Sequence, residues 1–96
     1  MKRLSEYVLA DSSVTSLTKE DLIGLDKTEL NRAYNEIFAR HGHDFKMQEY
    51  RYYFNLWDWY HPITGKTVSL EELTDIERGN IQLIKSVIDE NSIENC

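Results

Sequence analysis

Ninety-six residues leave room for one small domain with a thin core, and 41% hydrophobic residues beside 29% charged ones exclude a wholly disordered chain. The net charge of −6 is unevenly held: residues 27–68 carry six bases against five acids, while both flanks are acidic. That leaves no clustered cationic face, which excludes nucleic acid as a partner.

Residues 1–6 read as an N-terminal extension. Lys2-Arg3 is followed by Leu4-Ser5-Glu6-Tyr7-Val8-Leu9-Ala10-Asp11, too short and polar for the core of a signal peptide. Either the protein is cytoplasmic, or Met1 is an artificial start on a domain taken from a longer exported protein. No run approaches the roughly 18 apolar residues that span a bilayer, so no membrane insertion by this domain is expected. Residues 7–90 then form the domain. Its entry, through residue 14, reads as an extended arm with a turn at Asp11-Ser12-Ser13. Thr18 opens a brief helix, with Glu20 and Asp21 in the first turn where the helix dipole favours acids.

The next helix is the clearest. Asp26 with Glu29 makes a capping box, and Leu30, Ala33, Tyr34, Ile37, Phe38 and His41 keep the rhythm of one helical face. Gly42 stops it, since glycine enters the left-handed C-cap conformation without a side-chain clash. The pattern predicts a helix over 27–41. Met47, Tyr50, Phe54 and Trp57 have helical spacing and predict a third helix over 47–54, which ends before Pro62. Seven of the eleven aromatic residues lie between Tyr50 and Tyr60. Ile63-Thr64-Gly65-Lys66 reads as a turn. Ser69 or Thr74 caps a last helix, predicted over 70–90, whose stripe is Leu73, Ile76, Ile81, Ile84, Val87 and Ile88. Residues 91–96 read as a frayed tail. Cys96, single and terminal, offers neither an internal disulfide nor a thiolate metal cluster.

These elements predict an all-α fold: a small single-domain bundle of about four helices with an extended N-terminal arm across them. The two long helices should form the frame, with the aromatic segment wedged between.

Phe38-Ala39-Arg40-His41-Gly42, where a basic helix end meets its glycine stop, resembles the signature of the YARHG domain family. The likeness extends through Tyr7-Val8-Leu9, Leu17-Thr18, Asp21-Leu22, Leu25, Leu30 and Asn35-Glu36-Ile37. It continues through Phe45, Tyr53-Phe54, Trp59-Tyr60, Glu77 and Asn80-Ile81-x-Leu83-Ile84, covering residues 7–84. Phe38 replaces the eponymous tyrosine, and Tyr34 stands where arginine is common. The resemblance implies an extracellular module of bacterial envelope proteins and lipoproteins, with no established activity and a suggested role at the cell wall or surface. It favours the exported origin over the cytoplasmic one.

Two readings of the motif stand side by side. In the structural one, Asn35, Glu36, Arg40, Gly42, Glu77 and Asn80 brace the fold. Cations suit the last helical turn, Arg40 needs Glu36 or Glu77 as partner, and the interior asparagines bond loop backbone. Glu36 and Arg40, four apart, otherwise form an ordinary surface pair. In the binding one, Arg40, His41 and His43 present donors to carboxylates, while Trp59, Tyr60 and His61 add stacking area. Tyr50, Tyr53, Phe54 and Trp57 fill the core in either case; Tyr52, Trp59 and Tyr60 are less obviously internal.

His41-x-His43 with His61 and Asp44 or Asp58 does not have zinc spacing, so no metal site and no cofactor are expected. No nucleophile elbow, triad spacing or phosphate loop appears, so no catalytic residue is expected. The expectation is a monomeric, non-catalytic binding module for a cell-wall component or surface protein. The alternative is a structural or regulatory spacer docking within its parent protein.

Overall fold

The computed structural model describes residues 7–9 and 11–94, with side chains through residue 90; the N-terminal extension 1–6 and the last two residues lie outside the described residues. Among the described residues four α-helices follow one another: α1 (Lys19–Leu22), α2 (Lys27–Arg40), α3 (Gln48–Asn55) and α4 (Asp75–Glu94), with a 3-10 turn at Leu70–Glu72. Among the described residues there is no strand, and the fold is all-α as the periodicity requires.

Local chemistry accounts for the ends of α2. The Glu29 N–H donates to Asp26 Oδ1 at 2.8 Å, and the Asp26 N–H donates to Glu29 Oε1 at 3.1 Å. At the other end the His43 N–H reaches back to Phe38 O (3.3 Å) and the Gly42 N–H to Ala39 O (3.0 Å), a Schellman closure. Gly42 sits at φ 87°, and a Cβ there would stand 3.1 Å from Ile63 Cδ1.

The last helix differs from its expected span. Both candidate caps are used: Ser69 with Glu72 closes the 3-10 turn, and Leu73 then turns extended before α4 begins at Asp75. The Thr74 N–H donates to Glu77 Oε1 and the Glu77 N–H donates to Thr74 Oγ1. The helix then continues to Glu94, past the predicted end at 90.

Helices α2 and α4 pack directly on one another. Leu30, Ala33 and Ile37 face Ile81 and Ile84 in a core completed by Val8, Leu22, Val68 and Leu73, and Ala33 is small enough to let the helix axes approach. The aromatic segment is therefore not wedged between the long helices. It forms a second cluster of Ala39, Phe45, Phe54 and Tyr60 against the C-terminal half of α2, with Phe38 packing on both clusters. Tyr60, expected nearer the surface, is buried because its hydroxyl finds a partner: it donates to His43 O at 2.6 Å. Tyr52 points the other way and is 79% exposed.

Candidate functional site

Residues 36 and 40 of α2 lie one turn apart and face the N-terminal arm. Glu36 is fully buried. Its carboxylate accepts the Val8 N–H at 2.7 Å and the Leu9 N–H at 3.2 Å. Arg40 Nη2 donates to Glu36 Oε2 (3.1 Å) and to Leu9 O (3.0 Å), while Nη1 donates to Ser12 Oγ (2.6 Å) and Ser13 Oγ (2.9 Å). The pair is thus an interior one, not the surface pair its i,i+4 spacing suggests, and it holds the arm through the arm's own backbone. The guanidinium also lies over the Tyr7 ring at 4.9 Å, and Tyr7 stacks on Trp59 at 4.9 Å. This connects the basic helix exit to the aromatic segment.

A second set of bonds ties the same arm to α4. His41 Nε2 stands 2.9 Å from Glu77 Oε1, and the Ser13 hydroxyl donates to Glu77 Oε2 at 2.6 Å. Burial pushes the Glu77 carboxyl up, but the bonds from Ser13, the Thr74 N–H and His41 outweigh it and hold the group below its ordinary 4.5. One turn on, Asn80 Oδ1 accepts the Leu17 N–H at 2.8 Å, and its Nδ2 donates to Ser12 O (2.7 Å) and Thr15 O (2.9 Å). Asn80 is the interior asparagine that bonds loop backbone; Asn35 instead donates back to Asn31 O at 2.8 Å, within its own helix.

The geometry of Ser13, Glu77 and His41 has a chemical consequence. A serine nucleophile needs the imidazole between hydroxyl and carboxylate so that it can take the proton. Here the carboxylate stands in the middle and accepts from both. Among the described residues no group of three His, Cys, Asp or Glu side chains stands ready to hold a metal.

Beyond Gly42 the loop is fixed by the segment 60–68. The Ile63 N–H donates to Gly42 O, the Asp44 N–H to Lys66 O, and the Val68 N–H to His43 Nδ1 at 3.1 Å. Of the six candidate binding residues, Arg40 and His41 are thus engaged internally and Tyr60 is buried. Trp59 is half-buried, with an indole N–H that has no acceptor among the described residues. His43 is half-buried, and His61 is exposed.

A family profile described as the YARHG domain matches residues 5–89, nearly the whole chain. The chain belongs to the YARHG domain family. No curated protein and no solved structure matched it significantly. In this YARHG domain the motif residues converge on the arm, which accounts for Ala39-Arg40-His41-Gly42 occurring with a distant Glu77 and Asn80.

Ser12 and Ser13 escaped the sequence reading, since a serine pair reads only as a turn. Ser12 is fully buried. The signal for Glu36 was available: it borders Ala33 and Ile37 on the apolar face of α2, where an acid needs a partner.

Proposed function

We propose that this YARHG domain is a non-catalytic, extracellular binding module of a bacterial envelope protein, with the motif as its brace and the adjoining surface as its recognition face. The observation that carries the reading is the engagement of Arg40 and His41 with Glu36, Glu77 and the arm, beside a segment that leaves other contact groups outside. Those groups are the half-buried His43 and Trp59 and the exposed His61, with the exposed Tyr52 on α3. Rings and donors of this kind suit a cell-wall component or a surface protein. The order hydroxyl–carboxylate–imidazole supports a role without catalysis. Family membership supports the extracellular setting, and among the described residues no helix is long and apolar enough to cross a membrane.

Titration of the isotope-labelled domain with solubilised wall fragments tests the reading. Shifts are expected among residues 43–63, with little change at residues 8–17; no shift at any residue would defeat it. A spacer role without a ligand draws on one observation, that the described hydrogen bonds of Arg40 and His41 end inside the domain. It predicts the silent titration.

A further inference from the structure

Past the clamp, an open cavity of about 300 Å3 is bordered by Asn35, His43, Asp44, Lys46, Tyr50 and Thr67. Its walls are set by neighbours outside it. His43 Nδ1 accepts the Val68 N–H, so the proton of the neutral ring sits on Nε2 and makes that atom a donor. Burial favours this neutral form and holds the His43 pKa below its ordinary value, against the opposing pull of Asp44. The Asp44 carboxylate accepts the Gly65 N–H at 2.9 Å, which ties the rim to the 60–68 segment.

Three residues that border the cavity carry a group with no hydrogen-bond or ion-pair partner among the described residues: His43 through Nε2, Tyr50 through its hydroxyl and Lys46 through its ammonium. We infer that the cavity binds a small carboxylate-bearing ligand, of the kind a peptide's terminal residue presents, with Lys46 and the His43 Nε2–H as its donors. The Asp44 carboxylate on the same rim already offsets the Lys46 ammonium, so the wall admits at most one added negative charge, on the Lys46 side, and opposes a phosphate dianion. The volume lies at the small end of the range for ligand sites, about 300–1,000 Å3, which suits a short ligand such as a single capped residue. The half-buried Tyr50 ring, packed on Phe45 at 5.8 Å, offers an apolar wall for a methyl group.

This assignment rests on the binding-module reading and names the ligand class for one part of its surface. The test is a chemical-shift titration of the full chain with N-acetylalanine and with its amide. The acid should shift the His43 ring signals and the amides of residues 43–46 and 67, and the amide derivative should bind at least about tenfold more weakly. Lys46→Gln, at an exposed position, should fold as the parent does and weaken the acid by about tenfold. Equal binding of acid and amide, an unchanged Lys46→Gln, or no shift at all would overturn the assignment. If N-acetylalanine is silent while wall fragments shift other residues, the cavity assignment falls and the module reading stands; if both are silent, both fall.

Discussion

Replacing Arg40 by alanine should cost this domain a large fraction of its stability. The wild-type side chain is only 17% exposed and its partner carboxylate 0%. Removing one member of a buried pair typically costs about 3–5 kcal/mol, because the other charge is left without its counter-ion. Here the Glu36 carboxylate keeps the Val8 and Leu9 N–H donors, and the partly open edge of Arg40 admits water. Both effects place the loss near the lower end, at about 3 kcal/mol. Against a total of about 5–15 kcal/mol for a folded domain, with a small one near the bottom, that is about half. The midpoint of thermal unfolding should fall by about 12–24 °C, at about 4–8 °C per kcal/mol for a domain of this size.

Urea unfolding followed by circular dichroism measures the loss, and hydrogen exchange locates it. The amides of Val8, Leu9 and Leu17 should lose protection first, because the guanidinium and its partners hold the arm that carries them. Arg40→Lys retains the charge but not the planar fork that reaches two serines, a carbonyl and a carboxylate together; a loss of about 1–2 kcal/mol is expected. The double change Glu36→Leu with Arg40→Met strands no charge but leaves the Val8 and Leu9 N–H groups without their acceptor, so it should be no less damaging than Arg40→Ala. An Arg40→Ala domain within about 0.5 kcal/mol of the parent, the range of an ordinary surface change, would refute the clamp.

Three further outcomes follow from the same contacts. Asn80→Ala removes an acceptor for the half-buried Leu17 N–H and donations to the buried Ser12 and the exposed Thr15 carbonyls, and should cost about 2–3 kcal/mol by urea unfolding. Gly42→Ala forces a Cβ into the left-handed region and onto Ile63, a side chain that can yield; about 1–2 kcal/mol should be lost in the same assay. The lowered pKa of Glu77 means that the unfolded chain takes up a proton more readily than the native one. The stabilisation it brings is complete above its unfolded value near 4.5 and is lost as pH falls through the lower native value. Urea midpoints should therefore drop as pH falls from about 5 to 3, and Glu77→Gln should flatten that part of the profile.

Much of the frame was legible because local chemistry and periodicity agree in it. Asp26, Glu29 and Gly42 mark α2, and the Leu30–Ala33–Ile37 stripe marks its buried face, so bounds and type both emerge. The start of α4 was ambiguous for a stated reason: Ser69 with Glu72 and Thr74 with Glu77 are equally good caps, and the chain uses both in succession. The relation of the aromatic segment to the long helices was not legible. Helical spacing at Tyr50, Phe54 and Trp57 identifies an apolar face but not which helix it meets. Nor does composition reveal that the Tyr60 hydroxyl has a carbonyl waiting at His43.

The candidate site was half legible, and the missing half lies in backbone groups. Glu36, Arg40, His41, Glu77 and Asn80 stand out by type and position, but Glu36, Arg40 and Asn80 hold backbone groups of the arm, while Glu77 reaches it through the Ser13 hydroxyl and His41 through Glu77. An N–H or a carbonyl has no letter of its own in a sequence. This also explains why so small a domain buries Glu36, Glu77 and Asn80 and half-buries Arg40 and His41. Among the described residues the arm places Val8 in the buried core, with Leu9 and Leu17 only partly buried against it, too little apolar area to fix the arm against the entropy of ordering it. Directional bonds from two helices supply the difference, and they work only when each helix delivers its group to the same stretch of arm. A substitution at any one of them should therefore loosen the arm as a unit, and the arm rather than the helical frame is where the motif's effect on stability resides.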